Sequence, residues 1–476
     1  MKILLVQPGS DKSYKNFEAV PPMGLISVYS ALPEDVKRET YFLDGNLVST
    51  DYIRTWIEEN KPIVVGITTL TFNYKNAVCI GDAAKNNGSI VVIGGRHATD
   101  IRENILREMK AGNRPFDYLV AGEGENVFKD LVLACMHGNR PKGAGRLFSK
   151  EVSGLSHELV ERRFGFDTDF PVLDYSLLVN ESSPEEYMKK LERIGVLKNV
   201  LVSMPIISQR GCAYLGEKVH CKFCSIPSVN PKIPYETFEL SLKNLINQTH
   251  ADHVWITDGD FTANRNHVSK VGESINRVKA KTGKDFAIYC FARADELLRR
   301  DIISNLWDAG VRSVFIGYEH GSNELLKKMH KNTTKEQNLE ATHLLAKHGI
   351  EVICAGIVLG TPAETIGTLD EALIFAEELS QTGNVRSIFA TPIYPLPGSP
   401  YWLEFLDALE KADPNLSKAI RNSDMLQEDM LIEQFQRVGY LMPGCASRYE
   451  RPSLDKILQT TTRISQLLGK GIQFME

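Results

Sequence analysis

Residues 208–227 read SQRGCAYLGEKVHCKFCSIP and contain three of the chain's eight cysteines, Cys212, Cys221 and Cys224, within thirteen residues. Three thiolates from one loop suit a metal centre that keeps one coordination position open. A [4Fe–4S] cluster is usually held by four Cys thiolates, so a cluster held by three leaves one iron available to a small molecule. A zinc site needs a fourth ligand, and the nearest candidate, His220, is adjacent to Cys221 in the chain. The third interpretation is ordinary buried thiols. We favour the cluster.

The composition is that of a globular protein with room for two or three domains in its 476 residues. Hydrophobic residues make up 43% and charged residues 24% of the chain. The formal net charge of −5 gives no electrostatic indication of a nucleic-acid or anionic-membrane partner. No apolar run approaches the roughly 18 residues of a membrane helix, and the first apolar run is too short for a signal peptide. The cysteine spacing does not suggest a disulfide framework. We therefore expect a cytoplasmic protein.

The first part of the chain alternates apolar runs with segments of helical spacing. This alternation predicts a doubly wound, Rossmann-like parallel sheet over residues 1–137. Ligands of such sheets bind beyond the carboxyl ends of the strands. None of the turns there has a GxGxxG pattern, so a nicotinamide site is not favoured. The predicted strands are residues 2–7, 39–44, 63–69, 89–95 and 118–121, and the predicted helices are residues 23–32, 51–60, 74–85, 101–110 and 126–136.

A second alternation begins with the strand that leads into the cysteine loop. Six strand–helix units predict a partial, TIM-like (β/α)6 barrel over residues 200–400, with its active site at the carboxyl ends of the strands. Residues 138–199 are charge-rich and are interpreted as a linker with a helix near residues 184–194. Residues 401–476 are predicted to be mostly helical. The predicted barrel strands are residues 200–208, 253–258, 285–291, 311–317, 351–359 and 386–391, and the predicted helices between them are residues 240–248, 264–279, 296–309, 323–329, 336–348 and 368–379.

The cysteine loop resembles the signature of the radical S-adenosylmethionine (SAM) enzymes. Arg210-Gly211-Cys212 opens it, and Cys221-Lys222-Phe223-Cys224 closes it as expected. The departure is that eight residues, instead of three, separate Cys212 from Cys221. These extra residues are polar and include Gly216, so a bulged loop could contain them.

Polar residues at four later strand ends resemble the segments with which this family binds SAM. The resemblance implies that Asp258 and Gly259 contact the methionyl amine, Arg293 the carboxylate, Glu319 and Ser322 the ribose, and Gly360 the adenine. Phe223 would lie beside the same ligand. The structural alternative is that Glu319 and Arg293 form a salt bridge with each other.

The first domain resembles the cobalamin-binding domain of one branch of this family. Pro21-Pro22-Met23-Gly24-Leu25 is similar to its PPxGL, Gly94-Gly95-Arg96-His97-Ala98-Thr99 to its GGxHAT, and Gly122-Glu123-Gly124-Glu125 to its GEGE. The DxHxxG sequence that supplies a lower axial His is absent, so the resemblance implies cobalamin without an imidazole below the cobalt. The alternative for His97 and Thr68-Thr69 is a helix cap or a satisfied turn. The implied cobalamin-binding residues are Gln7, Pro22, Gly24, Thr68, Thr69, Gly94, Gly95, His97, Gly122, Glu123 and Glu125.

The resemblance as a whole implies a radical enzyme with three cofactors: a [4Fe–4S] cluster, SAM and cobalamin. Reductive cleavage of SAM would give a 5′-deoxyadenosyl radical, and C-methylation of a small biosynthetic intermediate is the favoured outcome. An external donor such as flavodoxin or ferredoxin would supply electrons. The first alternative is a radical SAM enzyme without functional cobalamin, which would perform dehydration, cyclisation, epimerisation or alkyl transfer. The second is an RNA-modifying enzyme, which the net charge disfavours. The third is a cobalamin- or cluster-binding sensor that is not an enzyme. The sequence identifies neither the substrate nor a catalytic residue.

Overall fold

The computed structural model describes residues 1–9, 21–137, 147–149, 170–179, 204–212, 221–227, 231–421 and 428–468. The chain divides into two compact units. The first contains residues 1–198, 240–250 and 421–426, and the second contains residues 199–239, 251–420 and 427–476. The helix predicted near residues 184–194 lies outside the described residues.

The first unit is built on a six-stranded sheet in which the first five strands are parallel. Its strands come from short apolar runs that are buried almost throughout, as expected for a parallel sheet with helices on both faces. The sixth strand pairs antiparallel with the fifth, and the sequence does not predict it because its three residues fall in the charge-rich segment. The order across the sheet is β2-β1-β3-β4-β5-β6, for β1 Ile3–Gln7, β2 Thr40–Asp44, β3 Val64–Thr68, β4 Ile90–Gly94, β5 Tyr118–Val120 and β6 Leu147–Ser149.

The helices of the first unit cover this sheet and complete its core. Ser49 caps α3 by accepting a hydrogen bond from the Tyr52 backbone N–H at 3.1 Å, as its type predicts. Buried side chains such as Leu4, Val65 and Ile80 join strands and helices in one apolar cluster. The helices are α1 Met23–Ser30, α2 Glu34–Lys37, α3 Thr50–Asn60, α4 Tyr74–Asn86, α5 Arg96–Asp100, α6 Arg102–Lys110 and α7 Glu125–Met136.

The second unit contains the predicted partial barrel. Its six strands are all parallel and are ordered as they occur in the chain. Sequential parallel neighbours are what repeated strand–helix crossovers produce, and the predicted fold class is therefore confirmed for both units. The strands are β7 Met204–Ile206, β8 His253–Ile256, β9 Ala287–Ala292, β10 Val311–Glu319, β11 Glu351–Leu359 and β12 Ile388–Pro392.

The helices of the second unit follow the predicted positions with one exception. The single helix predicted over residues 296–309 is two helices, because Asp301 between them has a left-handed φ of 64° that no helix interior tolerates. No helix within the described part of the chain is long and apolar enough to cross a membrane. The helices are α8 Tyr235–Thr249, of which residues 240–249 belong to the first unit, α9 Arg265–Thr282, α10 Ala294–Leu297, α11 Ile302–Asp308, α12 Asn323–Lys328, α13 Lys335–Lys347, α14 Ile366–Ser380, α15 Pro400–Ala412, α16 Pro414–Arg421, α17 Glu428–Val438 and α18 Leu454–Gln466.

Close packing of α14 against the end of β10 requires a glycine at position 321. A Cβ there would lie 2.5 Å from the Glu371 carbonyl O and 2.6 Å from the Phe375 Cβ. We therefore predict that Gly321→Ala lowers the free energy of unfolding by about 1–3 kcal/mol, as overpacking does. Urea denaturation followed by far-UV circular dichroism measures the change.

Gly367→Ala is the matched control for this substitution, because the nearest atom to its Cβ would be the Thr365 Oγ1 at 3.8 Å. It lies in α14 and should leave stability unchanged or raise it by about 0.5–1 kcal/mol, the helix preference of Ala over Gly. Equal denaturation midpoints for the two variants would contradict the packing argument.

Candidate active site

The Cys221–Cys224 turn is fixed by backbone hydrogen bonds to neighbouring elements. The Lys222 N–H donates to the Met329 carbonyl at 3.0 Å, and the Tyr401 N–H donates to the Lys222 carbonyl at 2.8 Å. The Cys224 N–H closes the turn on the Cys221 carbonyl at 3.0 Å. Two of the three predicted ligands therefore lie on a short, firmly held turn, which is the arrangement a metal centre needs.

The third predicted ligand, Cys212, lies at the start of the same loop and is half-buried. Its N–H donates to the Pro227 carbonyl at 3.1 Å. Within the described residues no three His, Cys, Asp or Glu side chains are gathered around one point as a metal site. His220, the fourth ligand considered for zinc, lies outside the described residues.

Burial and neighbouring charges act in opposite directions on the cysteine thiols. Burial raises the pKa of Cys221, and it raises that of Cys224 to about 11. Because a metal ligand must be the thiolate, a bound cluster would favour the deprotonated form that burial disfavours. Lys331 and Arg293 lie close enough to Cys221 to lower its pKa against the effect of burial. The donor set of Cys212, Cys221 and Cys224 fits an iron–sulfur cluster.

Asp258 is fully buried at the end of β8 and holds the first residues of the cysteine loop. Its carboxylate accepts hydrogen bonds from the Ser208 N–H at 2.8 Å, the Ser208 hydroxyl at 2.5 Å and the Gln209 N–H at 3.1 Å. Burial raises its pKa to about 7 although these three donors act in the opposite direction. The bonds give Asp258 a structural role, and its contact with SAM stays a prediction.

Gly259 lets the cysteine loop approach the end of β8. A Cβ at this position would lie 2.8 Å from the Gly211 carbonyl O and 3.3 Å from the Ile226 Cδ1. The need for glycine here is thus explained by backbone contact between strand end and loop. A contact of Gly259 with SAM stays a prediction.

Arg293 and Glu319 lie in one buried charge network but do not pair with each other. The Arg293 Nη2 donates to the Asp295 Oδ2 at 3.1 Å and to the Lys331 carbonyl at 3.0 Å. The Glu319 Oε1 accepts from the Lys331 Nζ at 2.9 Å. Less than a tenth of each of Arg293, Glu319 and Lys331 is exposed. The salt bridge considered as the structural alternative is therefore absent, and both residues border the cysteine loop.

Lys331 is the central residue of this network that the sequence analysis missed. Although burial alone would lower its pKa, the Glu319 carboxylate holds that pKa above its ordinary value, so the ammonium stays charged. Its neighbours His330 and Asn332 have left-handed φ values of 58° and 55°. A single lysine in a polar loop carries no sequence signal of burial, and only the fold reveals it.

The predicted adenine-binding loop after β11 is held by residues of the C-terminal helical segment. Gly360 has a φ of +85°, and its carbonyl accepts from the Gln436 Nε2 at 2.6 Å. The Arg451 Nη1 donates to the Thr361 carbonyl at 3.1 Å and also to the Pro362 carbonyl. The Arg451 Nη2 donates to the Gln436 Oε1 at 2.9 Å. Gln436 and Arg451 therefore clamp three successive carbonyls.

A buried His–Glu pair also holds the loop after β11. The His320 Nε2 lies 3.3 Å from the Glu364 Oε1, and the Glu364 Oε2 accepts from the Gly360 N–H at 2.9 Å. Burial alone would raise the pKa of Glu364. However, His320 and the hydrogen bonds that the Glu364 carboxylate accepts hold that pKa below its ordinary value. The Ser322 N–H donates to the His320 Nδ1 at 2.9 Å. Ser322 is itself buried, so its predicted ribose contact stays a prediction.

Phe223, between the last two cysteines, packs against an apolar cluster under the cysteine loop. Its partners are Leu325, Leu326 and Met329 on and just after α12, and Ala363 after β11. The ring therefore ties the cysteine turn to the adenine loop, and its half-exposed side is available to a ligand.

In the first unit, the predicted cobalamin-binding residues lie at the carboxyl ends of the parallel strands. The Thr69 N–H and hydroxyl both donate to the Gly94 carbonyl, at 2.9 and 2.8 Å. Gly95 has a φ of +93°, and a Cβ on it would lie 2.6 Å from the Thr69 backbone N. Thr69 thus has the turn role considered as its alternative. Gln7 and Thr68 are the last residues of β1 and β3.

His97 is buried behind this turn instead of projecting from it. Its Nδ1 lies 3.1 Å from the Thr71 Oγ1, and its ring lies 4.6 Å from that of Tyr74. Burial lowers its pKa to about 3, so the imidazole is neutral. Among the described residues, its Nε2 has no hydrogen-bond partner. A contact of His97 with cobalamin stays a prediction.

Arg96 pairs within its own helix. The Arg96 Nε donates to the Asp100 Oδ2 at 2.7 Å, one helical turn along α5. Local pairing at i,i+4 requires less ordering than a contact across the turn. Glu125 is buried and accepts from the Ser27 hydroxyl instead.

The remaining predicted cobalamin residues leave space for a ligand. Among the described residues, no atom lies within 4 Å of where a Cβ on Gly24 or on Gly122 would be. Pro22 precedes α1 and accepts from the Leu25 and Ile26 N–H groups, and Glu123 is exposed. Open glycines beside a stiff proline turn and the Thr68 and Gly94 strand ends fit the broad rim of a corrin.

Two family models match the chain. Residues 206–376 match the radical SAM superfamily, and residues 18–132 match the B12 binding domain. These matches confirm both predicted resemblances and the three predicted cofactors: a [4Fe–4S] cluster, SAM and cobalamin.

Curated relatives extend over most of the chain at low identity. The uncharacterized methyltransferase PH0819 of Pyrococcus horikoshii is 26% identical over 84% of this chain and 82% of its own. The bacteriochlorophyllide d C-12(1)-methyltransferase of Chlorobaculum tepidum is 23% identical over 87% of this chain and 80% of its own.

A solved structure shares the fold. The cobalamin-dependent SAM radical enzyme OxsB, with aqua-cobalamin and SAM bound, matches with a TM-score of 0.59 and 14% identity, over 98% of this chain and 79% of that chain. Another structure of OxsB, with aqua-cobalamin bound, is matched over 61% of its length. At this identity the likeness concerns the fold alone.

The anchoring role of Asp258 is testable by Asp258→Asn. Because an amide presents only one oxygen acceptor and a donor NH2, it cannot accept the three hydrogen bonds from Ser208 and Gln209, and the cysteine loop should loosen. We predict less iron bound per chain after anaerobic reconstitution, measured by iron and sulfide analysis. Asp285→Asn, an exposed residue paired with Lys279, removes the same charge and should bind full iron. Full iron with weakened SAM binding in Asp258→Asn would instead assign Asp258 to the ligand.

The hydrogen bonds from Arg451 and Gln436 to the carbonyls after β11, which we call the carbonyl clamp, lead to a second prediction. Arg451→Met should weaken SAM binding about tenfold or more, since charged hydrogen bonds contribute about 1.5–3 kcal/mol each and 1.4 kcal/mol is tenfold. Anaerobic calorimetry with SAM measures the affinity. Arg448→Met is the matched control, because Arg448 is exposed and lies over the Tyr440 ring. Equal affinities in the two variants would show that the clamp does not shape the SAM site.

Proposed function

We propose that this chain, which contains a B12-binding domain followed by a radical SAM domain, transfers a methyl group from SAM to a carbon atom of a small-molecule substrate. The observation that carries the proposal is the buried network of Arg293, Glu319 and Lys331 beside Cys221, which suits a zwitterionic, ribose-bearing ligand. Two relatives whose names describe them as methyltransferases support the choice of methyl transfer.

The residues of the second unit would bind and orient SAM. When bound, the cluster and SAM supply a radical that removes a hydrogen atom, and cobalamin carries the methyl group. Cys212, Cys221 and Cys224 would hold the cluster with one iron open. Glu319 would accept hydrogen bonds from the ribose hydroxyls while it pairs with Lys331, and the Gly360 loop would lie along the adenine.

The atoms and electrons of this reaction balance with two molecules of SAM and two electrons for each methyl group. One SAM gives up its methyl group and becomes S-adenosylhomocysteine. The other is reductively cleaved to methionine and 5′-deoxyadenosine, which carries the hydrogen taken from the substrate carbon. The electrons require an external donor, and we propose a flavodoxin or ferredoxin in a reducing, cytoplasmic setting.

The proposal is tested by product analysis in the absence of the unidentified substrate. Reconstituted protein with cobalamin, SAM and a chemical reductant should give 5′-deoxyadenosine and about one equivalent of S-adenosylhomocysteine per bound cobalamin, measured by mass spectrometry. Cys224→Ala, which removes a predicted cluster ligand, should give no 5′-deoxyadenosine. Formation of 5′-deoxyadenosine without S-adenosylhomocysteine would overturn methylation in favour of dehydration, cyclisation, epimerisation or alkyl transfer. If neither product forms, a cobalamin- or cluster-binding sensor is favoured instead.

The role of Glu319 is tested by Glu319→Gln. The amide keeps the shape but removes the charge that faces Lys331 and the predicted ribose hydroxyls, so the Kd for SAM should rise about tenfold or more. The charge-transfer absorption of the cluster should stay unchanged, since the three cysteines are intact. Anaerobic calorimetry gives the Kd, and an unchanged value would return Glu319 to a structural role.

A further inference from the structure

Four aromatic side chains share one face of the central barrel strands and contact one another. They are Trp255 on β8, Tyr289 and Phe291 on β9, and Phe315 on β10, and we call them the aromatic floor. Trp255 and Phe291 lie edge to face at 5.3 Å between ring centroids, and Phe291 and Phe315 do so at 5.2 Å. The Trp255 and Tyr289 rings are 5.9 Å apart. All four are half-buried.

The opposite face of the same strands has a different composition. There the alternate residues are aliphatic or small and fully buried. If the aromatic floor only had to fill space, aliphatic side chains such as those on the other face would serve equally well. The contrast indicates that the floor is built to present flat π-systems, which prefer stacked or edge-to-face partners. The residues of the opposite face are Val254, Ile256, Ile288, Cys290, Val314 and Ile316.

The aromatic floor lies next to the candidate SAM site along the strands. Phe291 precedes Arg293 by two residues, and Phe315 and Gly317 lie on the same face of β10, which becomes irregular between Gly317 and Glu319. A Cβ on Gly317 would collide with the Glu319 Oε1, so glycine lets the Glu319 carboxylate lie over the face of β10 that carries Phe315. A Cβ on Gly356 would lie 3.1 Å from the Phe315 ring, so glycine there lets that ring pack against β11.

One polar group on the floor is unsatisfied. The Trp255 Nε1–H is buried, and the described residues offer it no hydrogen-bond acceptor. A buried donor without a partner is uncommon in a folded protein and calls for a ligand or water acceptor. The donor belongs to a ring of the floor itself, so an acceptor bound there could satisfy it.

We propose that the aromatic floor binds the methyl-accepting substrate, and that this substrate is a flat, conjugated ring system with an oxygen or nitrogen acceptor at its edge. The inference rests on the proposed function, because it names the substrate class of that same site. Three neighbouring strands span about 10 Å, the width of a fused or macrocyclic ring rather than of a single six-membered ring. The acceptor binds the Trp255 N–H, and the ring lies against Phe291 and Phe315 below the SAM site.

The test uses the anaerobically reconstituted holoenzyme with cobalamin and SAM bound. Protoporphyrin IX is the probe, since it is flat, conjugated and carries carboxylates at its edge. Cholate is the comparison ligand, since it carries a carboxylate on saturated, puckered rings. Equilibrium dialysis followed by extraction and fluorescence measures bound porphyrin. The variants are Trp255→Phe, which removes the N–H donor and keeps an aromatic ring, and Phe315→Leu, which removes a π-system. Trp307→Phe is the control, because it makes the same replacement at an exposed tryptophan on α11 that is not part of the floor.

We expect saturable porphyrin binding that excess cholate does not displace. Trp255→Phe and Phe315→Leu should each weaken it about three- to tenfold, while Trp307→Phe leaves it unchanged. Absence of porphyrin binding, equal binding in all three variants, or displacement by cholate would each overturn the proposal. S-adenosylhomocysteine and 5′-deoxyadenosine formation without substrate is measured in the unchanged holoenzyme and in Trp307→Phe. If both products form and porphyrin does not bind, this inference fails while the proposed function stands.

Discussion

The ion pair between Glu319 and Lys331 is the interaction on which the candidate SAM site depends. Two opposite charges removed from water are tolerated only when they are paired and hydrogen-bonded, and these two are 2.9 Å apart with little exposure. The backbone at Glu319 has a left-handed φ of 67°, a conformation that a side chain adopts at a cost. Packing around β10 therefore holds the carboxylate in a strained position, beside Arg293 and Cys221, where a polar ligand can use it.

The loops around this pair are held by contacts that do not involve a ligand. Asp258 fixes the start of the cysteine loop, backbone bonds from Lys222 fix its end, and Arg451 with Gln436 fixes the loop after β11. Loops that are fixed before binding lose little entropy when a ligand arrives. The C-terminal helices thus have a function in the site that their sequence does not indicate.

In both sheets, the strands and the turns that follow them have different roles. Buried apolar strands define the sheets, and the residues that follow their carboxyl ends carry the chemistry. In the first unit, Gly95 and Thr69 shape the turn while Gly24 and Gly122 leave open space. In the second, Gly259 and Gly317 allow loop and carboxylate to come close to the strands. In both units, glycines lack the Cβ atom that would otherwise take up space near these polar groups.

The sequence by itself determined the parallel strands of both sheets and the position of nearly every helix, because apolar periodicity is a local property of the chain, but it did not predict the antiparallel β6. Its motifs indicated the two cofactor-binding domains by resemblance, and they placed Arg293 and Glu319 at strand ends and the three cysteines in the loop after the first barrel strand. Only the tertiary structure decided which distant groups meet: Glu319 pairs with Lys331, and Arg451 with the carbonyls after β11. Partners separated along the chain leave no periodic signal, so their choice depends on packing, which brings groups together and removes the water that would otherwise solvate them.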